Sequence, residues 1–392
     1  MKLNTQNGIA ADGVKEPFLK GIMERLKVFL AEHYDFRYNT VAETYECRRH
    51  QSKLHFVEVD RRVRNDIVLS ALEAGVDCID RDVMRIIESS FTPSYNPIQE
   101  YINVLPPWDG RDRIEELAGR ISADKLWAMV FRRWLLGMVA QWMQKCTQFG
   151  NSMVPVLIHR RHGTKKSSFC RMLLPPSLRS YFIEEFDTES KSASKVMSKF
   201  ALVNLDEIRK YSLSQMERLK SLIQLPQINL ARPYRGGYQH LERIASFIGT
   251  SNHADILTDP TGSRRFFPIE LEERIGRFRI SYKQLYAQLK AELRGGARYW
   301  YTPYEEALIT ERNKRFYRRP HEEGLFFSLF RLPHNGERAE EQSIHLLYEN
   351  MRKVSPATMR DISINTFARH LAIIGVKSRH SRSGSVYSVI RI

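Results

Sequence analysis

The spacing of apolar and polar residues divides the chain into three parts. Lys20–His33 shows the helical period of an amphipathic segment, and Tyr34–Val59 alternates apolar and polar residues as short strands do. Leu105–Gly110 then brings two prolines and a glycine, which cannot lie inside a helix, so the pattern predicts a boundary there. We therefore expect an accessory region of helices and strands, rich in helix, over residues 1–104.

The middle of the chain has the pattern of a parallel β-sheet between helices. Leu126–Met143 predicts a buried helix with Ser122 as its N-cap, and Arg132 and Arg133 interrupt it, which argues against a membrane span. From Met153 onward, short apolar runs alternate with helical stretches, as buried strands do in α/β domains. The candidate strands are Val154–Ile158, Ser180–Glu184, Phe200–Leu205 and Arg243–Thr250.

The last part of the chain, residues 276–392, predicts a helical linker and a small α+β domain. A helix is expected after Ser363, with its apolar residues on one face and Gly375 as the residue that ends it. Two alternating runs follow and flank Ser381–Gly384 as a hairpin. A helix followed by a basic hairpin is typical of the end of a winged-helix domain. The apolar residues of the helix are Phe367, Leu371 and Ile374.

Composition and charge narrow the class of partner. The 392 residues carry 61 Lys and Arg against 45 Asp and Glu, a formal net charge of +16, and 42% of them are hydrophobic. This composition excludes a mainly disordered chain, and the excess of cations favours a polyanionic partner, nucleic acid or an anionic membrane. The four cysteines stand apart without zinc-site spacing, and the first residues lack the apolar run of a secretory signal. We therefore expect a cytoplasmic protein.

A basic loop follows the first predicted strand of the sheet. Lys166 and Ser167 open the next helix, and strand, loop, Lys-Ser and helix is the context that a Walker A loop requires. There the backbone cradles phosphates, the lysine neutralises their β and γ oxygens, and the hydroxyl binds Mg²⁺. Arg160 and Lys165 stand where the consensus has glycines, so a close backbone approach or a positive φ at position 165 has to be achieved by a lysine, at a steric cost. The predicted phosphate contacts are Gly163, Thr164, Lys165, Lys166, Ser167 and Ser168.

Three later segments supply the other groups that phosphoryl transfer needs. A predicted strand ends in Asp206 and Glu207, the Walker B form, in which the Asp holds the Mg²⁺ shell and the Glu polarises the attacking water. A second apolar run ends near Asn252, whose amide can orient the γ-phosphate or the water. Arg264 and Arg265 occupy a tight turn, from which a guanidinium could reach the site of a neighbouring subunit.

In this order the segments resemble a known family. The runs GTKKSSF, FALVNLDE, SFIGTSN and DPTGSRRFFPIEL, preceded by LPPWDGRDRIEELA, resemble the virulence-associated protein E family. These are P-loop NTPases of phages and mobile elements, related to superfamily 3 helicases and to the helicase part of primase-helicases. The resemblance implies an α/β fold, with an AAA+ or superfamily 3 helicase-like P-loop core over residues 105–275 and leading helices over 105–150.

The resemblance also implies ATP and Mg²⁺ as cofactors and gives each candidate residue a role. Lys166 would be the Walker A lysine, Glu207 the catalytic acid and Asn252 the sensor. Mg²⁺ would be held by Ser167 and Asp206, and the arginine finger would be Arg264 or Arg265.

Two basic hairpins are the predicted contacts with DNA. Gln227–Arg243 predicts a hairpin that turns at residues 235–237, where superfamily 3 ATPases insert one that touches DNA. Cations beside aromatic rings suit single-stranded DNA, and they are Arg232, Tyr234, Arg235, Tyr238 and Arg243. The C-terminal hairpin resembles the domain that accompanies this ATPase in Bacteroides-type relatives. The cations there that would meet phosphates are Arg369, Lys377, Arg379 and Arg382.

Functions of two classes stay open at this point. One is an ATP-hydrolysing motor, a superfamily 3-like helicase or translocase, acting on DNA in the replication of a phage or mobile element. It would be a homo-oligomer, with a hexameric ring as one form. The other is a catalytically degenerate P-loop protein that serves as a DNA-binding scaffold or regulator. A third possibility is an NTPase that senses or restricts phage. None of the basic segments lies on an amphipathic helix suited to lipid, so we expect no membrane partner.

Overall fold

The computed structural model describes residues 15–146, 148–190, 192–231, 237–258, 263–318, 321–334, 336–360, 362–381 and 384–392. Contacts within the chain divide it into two compact units, Met1–Val104 and Leu105–Ile392. Among the described residues, no helix is both long enough and apolar enough to span a bilayer.

The first unit is a four-stranded sheet packed against helices. The order of its strands is β3-β2-β1-β4, with β1 antiparallel to β2 and parallel to β4. Leu26, Phe36, Ile67 and Val83 form part of its buried core. The helix ends at His33 and the strands begin at Tyr34, as the sequence pattern predicts, but the helix begins at Lys15 and not at Lys20. The elements are α1 (Lys15–His33), β1 (Tyr34–Asn39), β2 (Thr44–Arg49), β3 (Val57–Glu58), α2 (Arg61–Glu73), α3 (Asp80–Ile87), β4 (Ser94–Tyr95) and α4 (Pro97–Asn103).

Two helices precede the central sheet of the second unit, α5 (Arg113–Gly119) and α6 (Lys125–Trp142). The N-cap of α6 is Asp124, whose carboxylate accepts from the N–H groups of Leu126 and Trp127. The prediction of Ser122 was wrong, because its hydroxyl accepts from the N–H of Asp124 instead. Burial of α6 is confirmed, and the indole of Trp134 donates to the carbonyl of Phe247 in the sheet at 2.9 Å.

The central sheet has five parallel strands in the order β11-β5-β10-β7-β6. All five residues of β5 are buried, since helices cover both faces of a parallel sheet, and this explains its unbroken apolar run. The elements are β5 (Val154–Ile158), α7 (Lys166–Met172), β6 (Phe182–Ile183), α8 (Ala193–Lys199), β7 (Leu202–Leu205), α9 (Leu213–Leu222), β8 (Gln227–Ala231), β9 (Tyr238–Glu242), β10 (Ser246–Ser251) and β11 (Phe266–Glu270).

The four strands expected from the sequence are all present, and three of them begin or end at other residues than predicted. The first matches to the residue, whereas the others are shorter or begin later, and β10 starts three residues after Arg243. The N–H groups of Ile244 and Ala245 both donate to the carbonyl of Met197, so these residues bind α8 before the strand begins. The predicted hairpin is confirmed as the antiparallel pair β8 and β9, and its turn, residues 232–236, lies outside the described residues.

The C-terminal part of the second unit is a bundle of helices followed by a small antiparallel sheet. Strand β15 pairs with β12, β13 and β14. The elements are α10 (Tyr282–Arg294), α11 (Pro303–Asn313), α12 (His321–Leu329), β12 (Phe330–Arg331), β13 (Glu340–Ser343), α13 (Ile344–Val354), α14 (Pro356–Met359), α15 (Ile364–Ile373), β14 (Ser378–Ser381) and β15 (Gly384–Arg391).

The expected helix and hairpin at the end of the chain are confirmed as α15 and the pair β14–β15. The Ser363 hydroxyl caps α15 by accepting from the N–H of Thr366, and Gly375 has a φ of 88° just after the helix. Phe367 and Leu371 are buried in the small core of this part. The boundary between residues 275 and 276 stays a prediction, because the contacts keep both sides in one unit.

Candidate nucleotide site

The candidate site lies where three neighbouring parallel strands end. Strands β5, β10 and β7 are adjacent in that order, and they end at Ile158, Ser251 and Leu205. Their carboxyl ends meet at one edge of the sheet, the edge at which α/β proteins bind ligands. The basic loop, the acid pair and the predicted sensor follow these ends directly, so the sheet brings together residues that are far apart in the sequence.

One residue of the basic loop has a backbone conformation that is unfavourable for every residue type except glycine. Lys165, at the position of a consensus glycine, has a φ of 67° and a ψ of 24°, which is the left-handed region, and it N-caps α7. Gly163 also has a positive φ, 72°. A side chain in this region meets its own backbone, at a cost of about 1–2 kcal/mol. The loop therefore contains a left-handed residue at position 165 without the glycine that would adopt this conformation free of strain.

Lys166 points into the site from the first turn of α7. Its ammonium donates to the Asn252 side-chain oxygen at 2.9 Å, to the His159 carbonyl at 3.2 Å and to the Thr164 hydroxyl at 3.4 Å. Burial lowers the pKa of this ammonium, and the charges of Glu207 and Asp206 act in the opposite direction. All three partners are neutral acceptors, so the positive charge stays available to an anionic ligand.

The acid pair is held by the end of β10. The Asp206 carboxylate accepts from the Thr250 hydroxyl at 2.6 Å and from the Ser167 hydroxyl at 3.3 Å. The Glu207 carboxylate accepts from the Ser251 hydroxyl at 3.0 Å and from the N–H of Asn252 at 3.1 Å. Glu207 itself has a φ of 49°, so its backbone is held in the left-handed region as well. Both acids thus have fixed orientations.

Thr250 and Ser251 hold the acid pair, and the sequence reasoning did not include them among the candidate site residues. Besides donating to Asp206, the Thr250 hydroxyl accepts from the N–H of Glu207 at 3.3 Å, so it bridges the two acids. Both residues are buried at the end of an otherwise apolar strand. Hydroxyls in that position were the available signal, because a buried hydroxyl needs a hydrogen-bond partner.

The residues present fit a magnesium ion bound together with phosphates. Ser167 contributes a hydroxyl and Asp206 a carboxylate, and the two are within hydrogen-bond distance of each other. The described residues contain no cluster of three or more His, Cys, Asp or Glu side chains that could hold a metal ion. Mg²⁺ usually binds through one or two carboxylates together with the phosphates of the substrate.

The two candidate finger arginines are not directed at this acid pair. The Arg264 guanidinium donates to Glu306 of α11 at 2.6 Å. Arg265 is partly buried, and burial together with the charge of Arg264 lowers its pKa. The role of either arginine as a finger in the site of a second subunit stays a prediction. Residues 259–262 of the same turn lie outside the described residues.

Comparison with known proteins identifies the family. Residues 102–318 match the model of the virulence-associated protein E-like domain, which is more than half of the chain. The chain belongs to this family. Residues 319–389 match a domain of unknown function from B. theta, DUF3874. The resemblance drawn from the sequence motifs is thereby confirmed, including its Bacteroides-type C-terminal part.

Solved structures give a weaker likeness to the VapE-like chain. The apo C-terminal region of NrS-1 is 12% identical to it, with a TM-score of 0.41, and the match covers 95% of this chain and 100% of that one. The A form of the same region has the same identity and TM-score and covers 94% of this chain and 98% of that one. No curated protein matches the sequence.

The β8–β9 hairpin of the VapE-like domain presents only part of the predicted DNA surface. Tyr238 is 67% exposed at the start of β9. Arg232, Tyr234 and Arg235 lie outside the described residues. The assignment of Arg243 to DNA was wrong, because only 3% of this residue is exposed.

Arg243 instead ties the base of the hairpin to the body of the domain. Its guanidinium donates to the carbonyls of Ala245 at 3.1 Å, Ile223 at 2.6 Å, Leu225 at 2.8 Å and Asn151 at 2.9 Å. Burial lowers its pKa to about 9, so it stays charged at neutral pH. A long basic side chain beside a hairpin predicts surface exposure, and its burial depends on four carbonyls that no sequence pattern reveals.

The C-terminal hairpin keeps most of its cations at the surface. Arg369 and Lys377 are exposed, whereas Arg379 forms an ion pair with Glu341 of β13 at 2.7 Å. Residues 363–392 contain no Asp or Glu, so this carboxylate comes from outside them, and it neutralises part of the hairpin. Arg382 lies outside the described residues.

Lys165→Gly should stabilise the protein, because glycine relieves the left-handed strain at this position. We expect the free energy of unfolding to rise by about 1 kcal/mol, measured by chemical denaturation. Lys165→Ala is the matched control, since alanine removes the side chain and keeps the strain. An equal rise in the free energy of unfolding in both variants would show that the lysine side chain beyond Cβ destabilises the protein, and not the left-handed backbone.

Arg243→Ala should destabilise the protein strongly, because it leaves several buried carbonyls without donors. We expect a loss of about 3 kcal/mol or more in the free energy of unfolding. Arg218→Ala, at an exposed position of α9, is the control and should change it by less than about 0.5 kcal/mol. A loss no larger than that of the control would contradict the anchoring role.

Proposed function

We propose that this chain is a Mg²⁺-dependent P-loop ATPase of the superfamily 3 helicase type, acting on DNA during replication of a phage or mobile element. The observation that carries the proposal is the convergence of Lys166, Ser167, Asp206, Glu207 and Asn252 at the ends of three adjacent parallel strands. These residue types in this order are the set that phosphoryl transfer to water uses.

Each side chain has a role that follows from its contacts. Lys166, held among neutral acceptors, would turn to the β and γ oxygens of ATP and exchange its contacts with the loop for charge-assisted ones. Ser167 and Asp206 would bind the metal, which supplies neutralisation of the phosphate charge when bound.

Glu207 is suited to orient the attacking water. The Ser251 hydroxyl and the N–H of Asn252 fix its carboxylate, so it needs no rearrangement before the reaction. Asn252 contacts both Glu207, through its backbone, and Lys166, through its side chain. A contact between this amide and the γ-phosphate would therefore affect the positions of both Lys166 and Glu207.

DNA would meet the two basic hairpins, largely through its phosphates. Tyr238 offers an exposed ring at the first hairpin, and Arg369 of α15 and Lys377, just before β14, are exposed cations ahead of the second. An arginine supplied from a neighbouring copy would complete the ATP site, which makes a homo-oligomer part of the proposal.

ATP hydrolysis by the wild type, Lys166→Ala and Glu207→Gln tests the enzyme. We expect DNA-stimulated turnover in the wild type and none above background in Lys166→Ala. Glu207→Gln should still bind ATP but hydrolyse it at least about 100-fold more slowly, because it cannot act on the water. Glu73→Gln, an exposed acid of α2, is the control.

The second candidate function is a DNA-binding scaffold with a degenerate loop. The strained Lys165 and the arginine at position 160 favour it, since both replace consensus glycines. A wild type that is no more active than Lys166→Ala, at every DNA concentration, would remove the enzyme and leave the scaffold.

The salt dependence of DNA binding tests the first hairpin. Neutralising Arg232 and Arg235 together should make the plot of log K against log salt shallower by about 1.4, at about 0.7 for each contact with a single strand. Arg81→Ala, at an exposed position of α3, should leave the slope unchanged. A slope that stays the same in the double variant would mean that this hairpin does not contact phosphates.

A further inference from the structure

A cavity of about 440 Å³ adjoins the basic loop between β5 and α7, residues 159–165, which we call the phosphate loop. It lies between α7 and the segment 275–279 that follows β11. One wall is a face of α7, on which Lys165, Ser168 and Met172 follow one another at helical spacing. The opposite wall is the segment itself. This volume lies within the range of small-molecule sites in proteins, about 300–1,000 Å³.

The cavity has apolar walls with cations beside them. Phe169 is buried at its base, and its ring lies 6.1 Å from that of Phe278, which is half-buried. Arg277 and Arg279 flank Phe278, are exposed, and have no carboxylate partner among the residues that the structure describes. A flat ring with an apolar face and hydrogen-bond acceptors on its edge is complementary to these walls.

Two other cavities near the site have a different chemistry. The larger, about 840 Å³, is lined by the outer side of the phosphate loop and by Glu270, Glu272 and Glu273, with no Phe, Tyr or Trp. The smaller, about 250 Å³, shares Phe278 and Arg279 with the first cavity, but its other charged residues include Arg113 and Arg120 and it contains no residue of the phosphate loop. The larger cavity therefore lacks a Phe, Tyr or Trp ring, and the smaller one lacks contact with the loop.

The cavity is connected to the phosphate loop by a residue and by a hydrogen bond. Lys165 belongs to both, as the last residue of the loop and as part of the wall. The N–H of Ile275, at the start of the other wall, donates to the carbonyl of Thr164 at 3.2 Å. A ligand that occupied both places would therefore join the two sides of the cavity to the loop.

We propose that this cavity binds the base of a purine nucleoside triphosphate, with Phe278 as the stacking residue. The inference rests on the proposed function, since the phosphates of the same molecule would lie at Lys166. A purine is favoured over a pyrimidine because its larger ring stacks over more of the aromatic wall. Arg277 and Arg279 donate to acceptors on the edge of the base and to the ribose.

Binding of ATP and of inorganic tripolyphosphate, both with Mg²⁺, separates the two halves of the site. Titration calorimetry of the full chain should show that ATP binds more tightly than tripolyphosphate, and more tightly than CTP. Phe278→Ala should weaken ATP about tenfold, since stacking of a base on an aromatic ring is lost, and leave tripolyphosphate unchanged. Phe149→Ala, at an exposed ring elsewhere in the same unit, should change neither.

A second variant guards against loss of folding. Phe278→Leu keeps an apolar contact with Phe169 and should retain the melting temperature of the wild type, yet weaken ATP as the alanine does. Lys166→Ala should weaken both ligands, which reports on the phosphate half alone.

Three results of these binding measurements would contradict the inference, each in a different way. Equal affinities of the wild type for ATP and tripolyphosphate would overturn the base site and leave the phosphate site intact. An equal loss for both ligands in the Phe278 variants would assign Phe278 to the structure of the loop instead, and this also overturns the inference. Binding of neither ligand would overturn the proposed function first, and the base site with it.

Discussion

The polar end of strand β10 and the residue after it hold the acid pair and Lys166 of the candidate site. Three consecutive residues, Thr250, Ser251 and Asn252, contact Asp206, Glu207 and Lys166 in turn. The contacts depend on register, because Gly249 pairs with Val156 of β5 on one side and with Leu205 of β7 on the other. A slip of one residue in either pairing would exchange the faces of Thr250 and Ser251 and break their contacts with the acids. The geometry of the site therefore depends on the register of the parallel sheet.

The sequence predicts those parts of this arrangement that depend on local patterns. Buried strands read as apolar runs, the hairpin β8–β9 reads as alternation around glycines, and the C-terminal helix ends at Gly375 as its pattern requires. The acid pair and Asn252 could be assigned from their positions at strand ends, and the structure places them side by side. The motif order also identified the family.

The rest depends on contacts between distant segments. Arg243 is bound by carbonyls from two distant parts of the chain, and Thr250 contacts the acids only because β10 lies next to β7. Asp124 rather than Ser122 caps α6, a difference of two residues that the cap preferences of Ser and Asp cannot resolve. Partners far away in sequence decide such cases, and a periodic pattern carries no information about them.

The buried guanidinium of Arg243 binds the base of the β8–β9 hairpin to the rest of the domain. It joins the segment after β9 to the end of α9, through Ile223 and Leu225, and to the segment before β5, through Asn151. Because one side chain holds all three segments, a displacement of the base of the hairpin would also displace the segment that leads into β5.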